Sequence, residues 1–235
     1  MKAFNVCLTP ALLPLHDTTD QVVVVVDIFR ATSSIVTAFA HGVACIRPVA
    51  LVEECQVLQQ QGYLAAGERD GIKVDGFDFG NSPLEYQQEV IRGKSLALTT
   101  TNGTLAIEKA KGARKLIIGS FLNLEAITSF LKKQENDVLV VCAGWKGHVN
   151  LEDSLFAGAL FSRLGAHVQS DNDATLMAEA LFHRAQSDLM VFLSRSSHAQ
   201  RLATLDNQGD VTFCLRMNQY SVVPQLKDDH LVLLS

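Results

Sequence analysis

The feature that most constrains the fold is an unbroken run of five valines, Val22–Val26, which ends at Asp27. Such a β-branched run is typical of a strand buried on both faces of a parallel sheet. After Arg30 the chain continues into hydroxyl residues and an apolar pattern at helical spacing, so we expect a helix there. Ligands of open parallel sheets bind beyond the carboxyl ends of the strands. Asp27 and Arg30 are therefore candidate functional residues, because a carboxylate there needs a partner, a metal ion or water.

Composition excludes several classes of protein. Of 235 residues, 48% are hydrophobic and 19% are charged, which indicates a globular protein of one large domain or two small ones. The net charge of −5 argues against a nucleic-acid binder, which needs a basic stripe, and no apolar stretch reaches membrane-spanning length. Five scattered cysteines without CxxC spacing indicate buried free thiols, and their odd number fits a reducing compartment. With no signal-peptide pattern, we expect a cytoplasmic protein.

Strands and helices alternate along the first 164 residues. We predict strands at residues 4–8, 21–26, 45–49, 63–66, 95–99, 116–119 and 138–142, and helices at 33–41, 52–61, 82–91, 104–111, 124–133 and 151–164. This repeated β-α unit predicts an α/β fold with a mainly parallel sheet flanked by helices. The first strand is predicted at an edge of the sheet, since Pro10 and Pro14 follow it.

The pattern changes near residue 170. Helices are predicted at 175–186, 189–193 and 200–204, and strands at 211–215 and 230–234. We therefore predict a sheet domain at residues 1–170 that carries most of the site, and a C-terminal part at residues 171–235 packed on it. One continuous domain is the alternative. The apolar helices after Thr175 give the hypothesis of a homodimer face.

Polar clusters follow four of the predicted strands. They lie at residues 27–30, 67–69, 99–104 and 143–147, the last leading to Asn150, Glu152 and Asp153. If the strands are parallel, all four clusters share one rim and form a pocket rich in acids, bases and hydroxyls. Residues 67–83 carry four glycines and four acids without periodicity, and irregular loops of this length are often functional.

The segment TTTNGT at residues 99–104 has two interpretations. Small residues before a helix expose backbone N–H groups to an anion, and the helix dipole favours negative charge there. A capped turn between strand and helix is the alternative. No GKS, GKT or GxGxxG is present, so the segment is not a nucleotide-binding loop.

The acids also leave alternatives open. Asp27 is placed to be a nucleophile or a metal ligand, although the DxDx(T/V) motif of aspartyl phosphatases is broken by Phe29. Asn150 and Asp153 have the spacing of a helix-capping pair. In the other interpretation, Glu152 or Asp153 joins Asp27 and Glu68 around a hard cation such as Mg²⁺.

The bases at the strand ends and in the irregular loop are candidate anion clamps. They are Arg30, Arg69, Lys73 and Lys146. Single bases are more often solvated surface charges, but this placement favours anion binding. The seven histidines show no paired metal spacing, and only His148 and His198 are kept in reserve. Trp145 is either a pocket wall or a core residue.

These segments together resemble the 2-phosphosulfolactate phosphatase (ComB) family. The matching pieces are VDIFRATSSIVTAFAHG (26–42), AAGERDGIKVDGFDFGNSPLEY (65–86), LTTTNGT (98–104), IGSFLN (118–123), VCAGWKG (141–147) and LEDSLFAGA (151–159). They fall in the family's order over roughly the first 160 residues. GFDFGNSP and TTTNGT are the specific motifs, and the C-terminal third matches more loosely.

The resemblance implies an α/β enzyme that uses Mg²⁺ to hydrolyse 2-phospho-3-sulfolactate to 3-sulfolactate and phosphate. In methanogens this step leads toward coenzyme M. We expect catalytic roles for Asp27, Arg30 and Glu152, and Mg²⁺ ligands at Asp27, Glu68 and Asp153. The residues expected to bind the small anionic substrate are Thr32, Arg69, Lys73, Asn81, Ser82, Thr101, Asn102, Gly103, Thr104 and Lys146.

The chain departs from the family pattern at three positions. Leu105 and His148 stand where the family has arginine, and Ala199 stands where glycine is usual. Bidentate arginine contacts to anions are hard to replace. The alternative hypothesis is therefore a non-catalytic anion-binding or regulatory homologue, and a third is another metal-dependent enzyme on the same scaffold.

Overall fold

In the computed structural model, residues 1–205 and 207–234 are described, and within them the chain forms an eleven-stranded sheet and nine α-helices. The strands are β1 (Lys2–Cys7), β2 (Val22–Val26), β3 (Cys45–Pro48), β4 (Leu64–Arg69), β5 (Ile72–Lys73), β6 (Ser95–Thr99), β7 (Lys115–Gly119), β8 (Val138–Cys142), β9 (Val168–Gln169), β10 (Pro224–Lys227) and β11 (His230–Leu233). The helices are α1 (Ala31–Ala40), α2 (Val52–Gln60), α3 (Gly103–Lys109), α4 (Leu124–Lys132), α5 (Leu151–Leu164), α6 (Asp173–Ala185), α7 (Leu189–Leu193), α8 (Ser197–Thr204) and α9 (Gln208–Cys214). The predicted α/β class is confirmed.

The sheet consists of two parallel blocks joined by an antiparallel hairpin. Its strand order is β5-β4-β6-β3-β11-β10-β7-β2-β8-β1-β9. Strands β4, β6 and β3 form one parallel block, and β7, β2, β8, β1 and β9 form the other. Hairpin β10–β11 pairs antiparallel with β7 on one side and with β3 on the other. Three antiparallel pairings separate β7 from β3, and three is an odd number. The strands of one block therefore run antiparallel to the strands of the other block.

The valine run forms the buried strand that the sequence predicts. Each of the five valines of β2 is at most 1% exposed, and the strand pairs in parallel with β7 and β8. Successive side chains point to opposite faces of a strand. Val22, Val24 and Val26 accordingly belong to the core under α4, α5 and α6, whereas Val23 and Val25 belong to the core under α1 and α3.

Helices α1 and α3 connect the two blocks. The core that contains Ile35 of α1 and Ile107 of α3 also contains Ile46 of β3, Leu98 of β6 and Ile118 of β7. Helix α3 contacts β2 in one block and β3 in the other. These shared contacts draw the end of β2 toward the end of β6, although the strands run in opposite senses.

The C-terminal segment packs closely on the sheet. Helix α6 lies against α5 at Gly158, where a Cβ atom would come within 2.0 Å of the Ala178 carbonyl oxygen. Residues 171–234 add four helices and, through hairpin β10–β11, two strands of the same sheet. Asp206 and Ser235, which fall in the predicted C-terminal part, lie outside the described residues.

Several predicted elements are wrong. Residues 211–215 are not a strand, because Val211, Phe213 and Cys214 are buried as part of helix α9. Residues 82–91 form two 3₁₀ turns, Pro83–Gln87 and Glu89–Ile91, in place of an α-helix. A short apolar run does not by itself distinguish helix from strand, which explains the first error.

Three differences from the predictions concern the sheet itself. Strand β1 is not at an edge, because the two-residue strand β9 pairs with it on the outer side. The irregular segment at residues 67–83 begins as part of β4 and turns back in a short hairpin with β5. Strand β10 was not predicted. Its sequence PQLK lacks the β-branched residues that mark strands, and its two neighbours in the sheet supply the pairing.

Two predictions from composition can be compared with the structure. The five cysteines, all within the described ranges, are free, and four of them are buried, as predicted. Among the described residues no helix combines the length and apolar character needed to cross a membrane.

Candidate active site

The four predicted clusters meet at one cavity. Asp27 follows β2, Glu68 lies in β4, Thr101 follows β6 and Trp145 follows β8, and all four line the cavity. His198, from the first turn of α8, closes it on the C-terminal side. The cavity is narrow, with a volume of about 30 Å³. It therefore gathers acids, hydroxyls and a histidine around a space of the size of a few atoms.

Asp27 is the most perturbed group in this cavity. The residue is only 5% exposed, and its burial raises the pKa of the Asp27 carboxyl to about 7, with an opposing effect of His198 and further rises from Glu68 and Glu152. Gly103 approaches so closely that a Cβ atom there would lie 2.9 Å from Asp27 Oδ2. The N-terminus of α3 is thus packed directly against this carboxylate, which only glycine allows.

Glu152 and His198 form a buried pair beside Asp27. Glu152 Oε1 lies 2.6 Å from His198 Nδ1, and the two residues are 0% and 8% exposed. A carboxylate at this distance favours a proton on Nδ1, so Nε2 is the remaining nitrogen of a ring that lines the cavity. Asn150 Nδ2 lies 3.1 Å from the same Nδ1. Glu152 Oε2 is buried without a hydrogen-bond partner among the described residues.

Asp153 does not form the capping pair with Asn150. Its Oδ1 accepts from the Ile28 N–H at 2.9 Å and its Oδ2 from the Gly144 N–H at 3.1 Å, while the Asn150 side chain caps no backbone group of α5. Burial and the neighbouring Glu152 and Asp27 raise the pKa of Asp153 well above its usual range. Asp153 therefore joins the chain after β2 to the chain after β8.

Glu68 holds the turn after β6. Its Oε1 accepts from the Thr101 N–H at 2.7 Å, and its Oε2 accepts from the Gly71 N–H at 2.6 Å. The Thr101 hydroxyl donates to the same Oε2 at 3.3 Å. Because each carboxylate oxygen has two acceptor sites, Glu68 can still bind a cation from the cavity side.

The donor atoms fit Mg²⁺ in their chemistry. Mg²⁺ is usually held by one or two carboxylates, with water and substrate phosphate completing its octahedron. Asp27 and Glu68 are carboxylates that line the same cavity, and Glu68 adds to the rise in the pKa of Asp27 that burial causes. In the part of the chain that is described, no three His, Cys, Asp or Glu side chains converge as a ready set of ligands. The predicted ligand set of Asp27, Glu68 and Asp153 stays a prediction.

Arg30 is tied to the C-terminal segment. Its Nη1 lies 2.5 Å from Asp210 Oδ2 in α9, and its Nη2 donates to the Gly71 carbonyl oxygen at 3.2 Å. Arg30 and Asp210 are 4% and 3% exposed. Ser82, predicted to bind substrate, donates instead to Asp210 Oδ1 at 2.6 Å. The guanidinium faces the cavity with its charge already balanced.

The TTTNGT turn is largely internally bonded. Thr100 and Thr104 exchange backbone and hydroxyl hydrogen bonds, and the Thr101 N–H is held by Glu68. This geometry matches the capped-junction interpretation. Asn102 lines the cavity, and its Oδ1 accepts from the Lys146 N–H at 3.0 Å. Anion binding by Asn102 and Gly103 stays a prediction.

The remaining predicted substrate residues lie in different surroundings. Thr32 is fully buried and hydrogen-bonds the Asp27 backbone at 3.0 Å. Asn81 lines the cavity, and its buried Oδ1 has no partner within the described residues. Arg69 donates to Thr99 Oγ1 at 2.8 Å, and Lys73 donates to the Asp78 carbonyl at 2.8 Å. Arg69 and Lys73 do not line the cavity.

Three side chains around the cavity were not among the predicted site residues. The sequence marks His198 only as a reserve candidate among the histidines, and it does not single out Arg201 or Asp210. All three lie in α8 and α9, whereas the predicted clusters lie at the ends of strands. A signal for His198 was available, since Ser196 begins α8 as its N-cap and places the histidine in the first helical turn. The sequence offered no comparable signal for Arg201 or Asp210.

The fold and the cavity define an α/β protein with an acidic site at the ends of strands from two parallel blocks. The family model of 2-phosphosulpholactate phosphatase matches residues 7–229. A protein of Thermotoga petrophila named probable 2-phosphosulfolactate phosphatase is 44% identical over 203 residues, which are 86% of this chain and 88% of that protein. A protein of the same name from Caldanaerobacter subterraneus is 36% identical over 218 residues, 91% of this chain and 90% of its own. The chain belongs to the 2-phosphosulfolactate phosphatase family.

Proposed function

We propose that this protein is a Mg²⁺-dependent phosphatase that hydrolyses 2-phospho-3-sulfolactate, or a closely related small anionic phosphate monoester, to the alcohol and phosphate. The family match over residues 7–229 supports the reaction class and the substrate. The observation that carries the proposal is Asp27, a buried carboxylate with a pKa of about 7 in a cavity shared with His198. Acids perturbed by burial and by specific charges in a cleft are typical of catalytic sites.

Asp27 has two roles open to it, nucleophile or metal ligand, and both need its ionised form. At its pKa of about 7, a large fraction of Asp27 is ionised at neutral pH. The Thr32 hydroxyl bonds the Asp27 backbone N–H and carbonyl, and this fixes the direction of the side chain. The backbone therefore holds the reacting carboxylate in place before substrate binds.

His198 is the candidate acid and base. Glu152, whose Oε1 is 2.6 Å from Nδ1, holds the ring in place for this role. A proton on Nε2 can then pass to the alcohol oxygen as the ester bond to phosphorus breaks. Glu152, predicted to be catalytic, acts in this scheme through His198.

Mg²⁺, when bound, would offset the negative charge of the phosphoryl group. Asp27 and Glu68 would hold it, since both carboxylates line the cavity. Asp153 also stays a proposed ligand, although both its oxygens accept backbone N–H groups. A cytoplasmic location and a homodimer likewise stay predictions.

The test is phosphate release from 2-phospho-3-sulfolactate with Mg²⁺ and with a chelator. Wild type should turn over only with Mg²⁺, and Asp27→Asn should lose about three orders of magnitude in kcat, the size typical of a removed nucleophile or metal ligand. Asp75→Asn is the matched control, because Asp75 undergoes the same chemical change on an exposed part of the loop. Chelator-resistant turnover, or an active Asp27→Asn, would contradict the proposal.

The non-catalytic alternative rests on Leu105 and His148, where the family has arginine. Both residues are exposed, and neither is among the described residues that line the cavity. The described cavity wall therefore contains neither of the two replaced positions. Wild type that binds 3-sulfolactate but releases no phosphate from any small phosphorylated acid would favour this alternative.

A further inference from the structure

The bases predicted to grip the substrate are already engaged. Arg30 is paired with Asp210, and Lys146 Nζ lies 2.6 Å from Asp70 Oδ1. Arg69 and Lys73 donate to neighbouring protein oxygens. A substrate with phosphate, carboxylate and sulfonate groups nevertheless needs positive charge beyond a single metal ion.

Arg201 in α8 is placed differently. Its guanidinium carbon lies 3.9 Å from the centre of the Trp145 ring, so the planar group stacks on the indole. Its Nη2 is buried and has no hydrogen-bond partner among the described residues. A buried donor of a charged group is destabilising when it is left without an acceptor. The arrangement is therefore incomplete until an acceptor reaches Nη2.

An adjoining cavity lies against the Arg201 side chain. It has a volume of about 190 Å³ and is lined by Arg201, together with Trp145, His198 and Leu202, which also line the catalytic cavity. A group joined to the phosphorylated carbon could thus lie in the second cavity while the phosphoryl group lies in the first.

Two acids lie at or near this second cavity, and neither is paired with Arg201. Asp70 lines it but is held by Lys146 at 2.6 Å. Glu152 is close enough to raise the pKa of Arg201 against the lowering effect of burial, yet no hydrogen bond joins the two side chains. Glu152 Oε1 instead faces His198.

We propose that Arg201, stacked on Trp145, binds the acid group of the substrate that is not transferred. This inference rests on the proposed function, because that function supplies a substrate with a second acid group. The ligand chemistry is a carboxylate or sulfonate oxygen pair facing the guanidinium fork. Arg201 is on this basis a specificity residue contributed by the C-terminal helices.

The test uses intrinsic fluorescence, since Trp145 is the single tryptophan of the chain. The full-length protein is titrated with 3-sulfolactate and, separately, with inorganic phosphate. Arg201→Gln should weaken 3-sulfolactate binding at least tenfold and change phosphate binding less than twofold. Arg201→Lys should lie between, because it keeps the charge and loses the planar fork.

Arg195→Gln is the matched control. Arg195 is exposed in the same segment, so this variant makes the same change of charge outside the cavity. Its 3-sulfolactate affinity should stay within twofold of wild type. Thermal melting of all variants checks that the fold is retained, and Arg201→Lys remains available if Arg201→Gln does not fold.

Lactate and isethionate, which carry only the carboxylate or only the sulfonate, identify the group that Arg201 holds. Binding of one of them should depend on Arg201. Equal losses for 3-sulfolactate and phosphate, an unchanged affinity of Arg201→Gln, or no 3-sulfolactate binding by wild type would each overturn the inference.

The two proposals fail separately. Wild type that binds 3-sulfolactate through Arg201 without releasing phosphate would leave this site intact and contradict the proposed function. Phosphate release with the same KM in Arg201→Gln would support the function and remove Arg201 from substrate binding.

Discussion

The strand ends and the C-terminal helices meet at the same cavity, but they hold their charged groups by different means. Glu68 and Asp153, from the first region, are fixed by backbone N–H groups. His198 and Asp210, from the second, are fixed by Glu152 and Arg30, which are charged side chains of the first. The strand ends thus hold Glu68 and Asp153 through the backbone, and the helices are held through charged side-chain pairs.

The largest expected effect is on the connection between the two regions. Asp210→Asn leaves the Arg30 guanidinium buried without its counter-charge, so we expect unfolding free energy to fall by about 3 kcal/mol. Urea denaturation at neutral pH measures this change. Asp20→Asn is the control, because the Arg114–Asp20 pair is exposed and 3.7 Å apart, and removing it should cost less than about 0.5 kcal/mol. Similar losses in both variants would show that burial of the Arg30 pair is unimportant.

The next effect concerns catalysis. Glu152→Gln removes the carboxylate that orients His198 through Nδ1, so kcat should fall by about two orders of magnitude with little change in KM. Glu125→Gln makes the same chemical change at an exposed position of α4 and should leave kcat unaltered. A large rise in KM with normal kcat would instead assign Glu152 to substrate binding.

A smaller effect is an increase in stability. The folded-state pKa of Asp27 is raised from 3.8 to about 7, so the folded protein binds the proton more tightly than the unfolded chain. Wild type therefore loses stability as pH rises from about 4 to about 7. Asp27→Asn does not titrate, and at pH 8 without metal we expect it to be about 2 kcal/mol more stable than wild type. Equal stabilities at pH 4 and pH 8 would contradict the burial effect.

The smallest effect is seen in the pH profile. Because Asp27 must be ionised, kcat/KM should rise about tenfold per pH unit below about pH 7. A steady-state profile from pH 5 to pH 9 measures this. A profile that is flat between pH 5 and pH 7 would mean that the carboxylate is ionised throughout, and that its surroundings are more polar than the folded geometry indicates.

The strand ends were predictable because their signals are local. The valine run, the strand–helix alternation and the polar residues that follow each strand lie next to one another in the sequence, and Asp27, Glu68, Thr101 and Trp145 do meet at one cavity. Parallel pairing alone does not explain why these residues meet, since the strands of the two blocks run in opposite directions. Contacts of α3 with β2 and β3 bring the ends together, and such contacts leave no local pattern.

The C-terminal contribution could not be predicted in the same way. Asp210 is distant from Arg30 in sequence, and it lies in a stretch next to the residues 211–215 that were predicted as a strand. In the sequence, Arg201 cannot be distinguished from an ordinary surface arginine. Only the structure shows that it stacks on Trp145. Long-range partners of this kind depend on packing, so a sequence read segment by segment does not reveal them.

Hairpin β10–β11 has a consequence for how the protein is made. These two strands follow all the other strands of the sheet in the sequence, yet they lie in its middle, between β7 and β3. Until residues 224–233 emerge, both parallel blocks carry an inner strand with one unpaired side, and open edges recruit other chains. Nascent chains of this protein are therefore most exposed to wrong pairing just before residues 224–233 emerge, when the two half-sheets exist but the hairpin that joins them does not.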